Sequence, residues 1–306
     1  MIETWQQDLP HGITLSCRAC GERGRPVLMF LHGFPEAAFV WDALLAHFAR
    51  PEHGGYRCVA PNLRGYERSS APAEVKDYRA KHLLQDIAAL IDLETGGAPL
   101  AALVAHDWGG ALAWGLANQH PQRLHKLVIV NAPHPGTFLR ELQYNPAQQA
   151  ASAYMNFLVR PDAVRLLTEN GHARLFGFFE GMGASATPGT PGAPVGAGWL
   201  TEAMRARYRA VWDMGVQGGL NYYGASPLHP ASAASLTLPP EATRIDVPTL
   251  VLWAQDDKAL LPALCEGLEH FVPRLRLVPL HQATHWVVHE QPERVIAEIA
   301  GFLATQ

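Results

Sequence analysis

Ala101-Ala-Leu-Val-Ala105-His106-Asp107-Trp108-Gly109-Gly110 decides how the rest of the chain is read. Its first five residues are apolar throughout, the pattern of a strand covered on both faces. The run Gly110 to His120, stopped by Pro121, reads as a helix. Asp107 therefore sits at the junction, with small Ala105 and Gly109 two positions before and after it. That spacing permits the sharp strand-to-helix turn of a nucleophile elbow, G-x-S-x-G, with aspartate where serine would stand. The flanking residues must be small because the turn strains the backbone and is crowded by neighbouring strands. A helix N-terminus directly behind the side chain favours negative charge there.

Similar short runs occur on both sides of this segment. Val27–Leu31, Leu127–Val130, Leu250–Trp253 and Leu275–Val278 read as strands, and Ala37–Arg50, Arg79–Leu93 and Pro292–Phe302 as helices. Alternation of this kind predicts an α/β fold with a mainly parallel sheet flanked by helices. Between about 136 and 243 the strand pattern lapses, and Ala147–Phe157, Asp162–Glu169, Ala173–Glu180 and Thr201–Met214 read as helices. The expected organisation is a core domain of residues 1–135 and 244–306, interrupted by an all-helical cap over 136–243. Within that insert, Gly181–Gly198 holds six Gly and three Pro, too many for a regular element. It reads as a surface excursion shaping substrate entry. The G-x-G-x-x-A spacing at 181–186 follows a helix, not a strand, and is set aside as a nucleotide fingerprint.

Three more chemistry-bearing pieces follow strand ends. Leu250–Trp253 leads into Ala254-Gln-Asp-Asp257, and Leu275–Val278 leads to Gln282-Ala-Thr-His285-Trp286. With Asp107 these supply nucleophile, acid and base in the chain order of the elbow motif; Asp256 competes with Asp257 for the acid role. His32-Gly-Phe34-Pro-Glu36 follows Val27–Leu31, so that the N–H groups of Phe34 and Trp108 would form an oxyanion hole. Open α/β sheets place their sites at such strand ends.

Aspartate at the elbow changes the chemistry. Free aspartate has a pKa of ~3.9 and is ionised at neutral pH. A carboxylate attacks esters poorly but displaces a leaving group from an sp³ carbon, and the resulting ester needs a base to activate water. The substrates this allows are epoxides and alkyl halides.

Composition removes other classes. The chain has 306 residues, a net charge of −4, 48% hydrophobic and 17% charged side chains. Disordered and collagenous classes are excluded, and nothing in the charge suits a nucleic-acid partner. Met1–Pro10 lacks the basic and apolar regions of a secretory signal, and no apolar run reaches the ~18 residues of a membrane span. A cytoplasmic protein is the expectation. Cys17-x-x-Cys20 is read as two residues on opposite faces of an N-terminal strand rather than half a zinc site. His281, His285 and His289 are spaced by four but straddle a strand end, a turn and a helix start. No metal and no cofactor are expected.

The sequence resembles the epoxide hydrolases of the α/β-hydrolase superfamily. The matching pieces are His32–Glu36, Arg64-Gly65-Tyr66, His106–Gly110, Asn131–Pro135, Asp257 and His285-Trp286. The family's W-G-x-x-D pattern, counted from Trp253, selects Asp257; Ala254 departs from its Gly, and Glu67 from the last Gly of R-G-Y-G. The resemblance implies the α/β-hydrolase fold and two cap tyrosines that bond the epoxide oxygen: Tyr154, in S-x-Y, and Tyr223, in N-x-Y. The plain alternative is that they are core aromatics, and Tyr144, Tyr208 and Tyr222 compete for the same roles. The implied substrate is a hydrophobic epoxide, converted with water to a vicinal diol. A dehalogenase is the rival, with Trp108 as halide donor, although Phe34 stands where a second donor is usual. A non-catalytic receptor is a third reading, and a homodimer is left open.

Overall fold

In the computed structural model, residues 1–305 are described except 185, 188, 189, 191, 192 and 194. The apolar runs form the middle of an eight-stranded sheet: β1 (Glu3–Asp8), β2 (Thr14–Cys20), β3 (Val27–Leu31), β4 (Arg57–Pro61), β5 (Ala102–His106), β6 (Leu127–Val130), β7 (Thr249–Ala254) and β8 (Leu275–Leu280). Their order is β1-β2-β4-β3-β5-β6-β7-β8. β1, β2 and β4 pair antiparallel, and every pairing from β4 through β8 is parallel. β3 to β7 are buried along their whole length, because helices cover both faces.

Alternation along each strand divides the apolar side chains between two cores. Met29, Leu31, Leu103 and Ala105 face one core, and Leu28, Phe30, Ala102 and Val104 the other. Cys17 belongs to the first and Cys20 packs against the second, which is the opposed placement expected from their spacing. All four cysteines are free thiols.

The core helices are α1 (Asp42–Phe48), α2 (Ala80–Thr95), α3 (Asp107–Gln119), α10 (Val287–Glu290) and α11 (Pro292–Leu303). α2 buries Leu83, Leu84, Ile87, Leu90 and Ile91, one stripe at helical spacing, and ends at Gly96 in the left-handed conformation. Between β6 and β7 the described residues hold helices and no strand: α4 (Pro135–Tyr144), α5 (Pro146–Ala151), α6 (Tyr154–Leu158), α7 (Ala163–Glu180), α8 (Glu202–Trp212) and α9 (Gln217–Ala225). Asn145 caps α5 by accepting from the Ala147 N–H. α7 leaves helical geometry at 169–172, so the two stretches read at 162–169 and 173–180 are two pieces about a kink. The expected helix at 147–157 is likewise two, α5 and α6. Part of the Gly181–Gly198 excursion lies outside the described residues.

β1, β4, α4 and α9 are additions to the sequence reading. α9 contains three glycines and has weak intrinsic propensity. Packing explains it: Gly218 lies against Gly65, where an added Cβ would come 2.3 Å from the Gly65 Cα, and the Tyr222 hydroxyl donates to the Arg64 carbonyl at 2.9 Å.

Register brings the distant motifs together. Leu31 pairs with Ala105, His106 with Val130, and Val130 with Leu252. The chain leaves β3 for β4 on one side and returns as β5 on the other, so Phe34 and Asp107 flank a topological switch point.

Candidate active site

Asp107 begins α3 with φ +49°, a left-handed backbone unusual for a residue with a side chain. The small neighbours are a steric requirement. A Cβ on Gly109 would lie 2.5 Å from the Leu31 carbonyl oxygen, one on Gly110 2.2 Å from the Ala132 Cβ, and one on Gly33 2.1 Å from Asp107 Oδ1. Gly109→Ala is therefore expected to cost about 3 kcal/mol or more in urea unfolding. A midpoint equal to the native one would show that the elbow has room to relax.

The His32–Glu36 loop is held from beneath. The buried His32 accepts from the Leu63 N–H at Nε2 (3.1 Å), and its Nδ1 lies 3.0 Å from the Gly33 carbonyl. Burial lowers its pKa to about 4, which keeps the ring neutral and able to accept at Nε2. The loop then aims the Phe34 N–H at Asp107 Oδ1, 2.7 Å away. Trp108, the other expected donor, follows Asp107 in α3, where first-turn N–H groups have no partner within the helix.

His285 Nδ1 lies 2.7 Å from Asp257 Oδ2, and His285 Nε2 3.7 Å from Asp107 Oδ2. Asp257 also accepts from the N–H groups of Ala259 (2.8 Å) and Leu260 (2.9 Å) and from Asn131 Nδ2 (2.8 Å). Asp256 is exposed, so of the two candidate acids only Asp257 stands beside the imidazole. Burial alone would raise the Asp257 carboxyl, but the His285 charge and these hydrogen bonds hold it below the ordinary range. Burial would likewise lower His285, but Asp257, Asp107 and Glu36 together raise it to about 9.

Tyr154 and Tyr223 line a cavity of about 320 Å³ that contains Asp107 and Trp108. Their rings are 6.2 Å apart, and Tyr223 stands edge-on to Trp108 at 5.0 Å. Burial, reinforced by the Asp107 charge at both and by neighbouring Tyr154 at Tyr223, keeps both phenols well above the ordinary tyrosine range, so they remain hydrogen-bond donors. Tyr78 and Tyr222 also border this cavity, but the other candidate tyrosines have their hydroxyls engaged elsewhere or lie at the surface. Tyr144 is exposed, Tyr208 bonds Glu36 Oε1 (2.9 Å), and Tyr222 bonds the Arg64 carbonyl.

Several supporting residues carry no sequence signal of their own. Glu36, inside the matched His32–Glu36 motif, is buried and receives His289 Nε2 (2.7 Å) and Tyr208, while His106 Nδ1 stands 3.2 Å from its other oxygen. Burial would raise this carboxyl, but the two histidines hold it well below the ordinary range. His106 Nε2 in turn lies 2.9 Å from the His285 carbonyl. His289 is thus part of a hydrogen-bonded cluster around the buried Glu36; His281 is exposed. Glu67, at the Gly position of R-G-Y-G, adopts φ +50° and bonds Asn62 Nδ2 and Ser16 Oγ, which offsets the conformation glycine would take freely.

A model of the α/β-hydrolase fold matches residues 26–292. The chain belongs to this family, among the epoxide hydrolases. It is 32% identical over 299 residues to the AB hydrolase superfamily protein YfhM of Bacillus subtilis, covering 97% of this chain and 96% of that one. Epoxide hydrolase 4 of Mus musculus is 31% identical over 295 residues, 95% of this chain and 77% of the relative. Among solved structures, a Bacillus megaterium epoxide hydrolase in complex with an inhibitor has a TM-score of 0.86 at 28% identity, covering 98% of this chain and 100% of that one. An epoxide hydrolase from metagenomes of hot environments has a TM-score of 0.82 at 35% identity, with both chains fully covered. No helix among the described residues is long and apolar enough to cross a membrane.

Proposed function

We propose that this α/β-hydrolase converts a hydrophobic epoxide and water to a vicinal diol through an ester on Asp107. The carrying observation is how the two oxygens of one carboxylate are used. Oδ1 is held by the Phe34 N–H, while Oδ2 faces His285 Nε2 at 3.7 Å. Oδ2 attacks a ring carbon; the carbon–oxygen bond breaks toward the ring oxygen, which takes a proton from Tyr154 or Tyr223. Oδ1 becomes the ester carbonyl, already polarised for the second step. His285 takes a proton from water as that water attacks the carbonyl carbon, and Asp257 stabilises the imidazolium. As the tetrahedral adduct collapses, the imidazolium proton goes to the departing alkoxide and the proton left on the new carboxyl returns to the tyrosinate, which releases the diol and restores Asp107, His285 and the phenol.

The helical segment 136–243 acts as the cap, supplying both acids over a core of residues 1–135 and 244–306. The four free thiols suit a reducing, cytoplasmic compartment. Tyr223→Phe is expected to lower kcat/KM for a styrene-oxide-like epoxide by about 10²-fold, the scale of one positioned acid. Tyr144→Phe, at an exposed position, should leave it unchanged. Equal small losses would make the cap tyrosines core aromatics. Against dehalogenation stands the apolar side chain of Phe34 where a second halide donor would be needed. Diol formation from epoxides and halide release from short bromoalkanes, assayed side by side, test this; faster halide release would reverse the assignment.

A further inference from the structure

α3 is a core helix with one uncovered edge. Leu112, Ala113, Trp114, Leu116 and Ala117 are buried, whereas Ala111 and Gln119 are exposed and Gly115 half-buried. Those three residues follow Asp107 at spacings of four, and all four line the cavity of about 320 Å³. The cavity is also lined by Tyr223, Ala225 and Leu228. Both lining stretches therefore start at residues assigned to ring opening. From Asp107 to Gln119 is twelve residues of helix, ~18 Å. An ordinary solvent face looks different: α2 presents Lys81, Gln85 and Asp92 to water. Of the described residues lining the cavity, Asp107 alone is charged, so nothing there pairs with a charge on the substrate.

Taking Asp107 as the point of attack, as proposed above, we propose that this cavity is a channel for one long, linear, uncharged arm of the epoxide, laid along α3 over Ala111 and Gly115 toward Gln119. Small side chains at 111 and 115 leave the space, and apolar walls reward each added methylene. The substrate class is then a long-chain alkyl or aryl-alkyl epoxide rather than a compact or ionic one.

The test is a ruler. Wild type, Ala111→Leu and Gly115→Leu are assayed with terminal epoxides from 1,2-epoxybutane to 1,2-epoxydodecane. Both substitutions are compatible with the helix: leucine is a stronger helix former than glycine, position 111 is open, and a Cβ at 115 meets only the flexible end of Leu84 at 3.3 Å. In wild type kcat/KM should rise about three- to fourfold per methylene. The rise should stop at a shorter chain in Ala111→Leu than in Gly115→Leu, by an arm length of four helical residues, ~6 Å. Affinity of wild type for the matching 1,2-alkanediols, measured by calorimetry, should climb with chain length in parallel. A flat chain-length profile in wild type, or a cut-off at the same length in both variants, overturns the channel. Length-dependent diol binding without turnover of any epoxide would support the channel and sink the reaction assignment instead.

Discussion

His285→Gln is expected to stop after half a turnover, with one equivalent of substrate held as an ester on Asp107. Intact mass should rise by the mass of the epoxide, and steady-state kcat should fall by about 10³-fold or more, since the hydrolytic base is gone. The asymmetry follows from position. In the proposed reaction, attack uses Asp107 Oδ2 and the cap phenols, none of which needs the imidazole, whereas the ring nitrogen facing Asp107 is Nε2 at 3.7 Å. Absence of an adduct in a folded variant would overturn this division of roles. The same geometry fixes the sign of the pH dependence. His285 is raised to about 9 partly by the Asp107 charge, so in the resting enzyme it is protonated at neutral pH. Asp257 is the larger cause and persists, but esterification removes the Asp107 charge and lets the pKa fall, so the imidazole becomes a readier base once the ester exists. Single-turnover ester breakdown should therefore accelerate with rising pH through a pKa below 9, because the protonated ring cannot accept a proton. A flat profile from pH 5 to 9 would exclude His285 as the base.

The parts of this molecule that were readable in the sequence are those in which chemistry and local backbone share one short segment. The elbow at 105–109 is such a case: a side chain at 109 would collide with the Leu31 carbonyl, so the steric demand of the turn is written two residues from Asp107. β3, β5, β6 and β7, apolar over nearly their whole length, were legible for a similar reason; β4, equally buried, opens on Arg57 and escaped. β1 escaped because its faces are exposed to half-buried and carry Glu3, Gln6, Gln7 and Asp8. α9 escaped because its helix depends on Gly218 meeting Gly65, a contact between segments some 150 residues apart. Glu36, His106, His289 and Tyr208 escaped as a group for the same cause. Glu36 and His106 stand in matched motifs, but their partnership with His289 and Tyr208 is not written in any one segment, and only the sheet register and the docking of α8 bring the four to within hydrogen-bonding reach. Asp256 and Asp257, equivalent in spacing, differ in space: one is at the surface and the other receives Asn131, Ala259 and Leu260.

Asp107→Asn should abolish turnover, lowering kcat by about 10⁴-fold or more while leaving the fold intact. An amide oxygen at Oδ1 can still accept from the Phe34 N–H, so the loop and the elbow lose no partner. What is lost is the nucleophile: a neutral amide does not displace the ring oxygen from carbon. Loss of rate alone would also follow if Asp107 merely activated a water for direct attack, so the decisive measurement follows oxygen atoms. In a single turnover of wild type in ¹⁸O-water, the covalent route places the label in the Asp107 carboxylate, because water attacks the ester carbonyl and the diol departs with an oxygen of the original side chain. Direct attack places it in the diol at the first turnover and leaves Asp107 unlabelled. The Phe34 N–H argues for the first outcome: a donor 2.7 Å from Oδ1 weakens a general base but stabilises the oxyanion that forms there when the ester is hydrolysed.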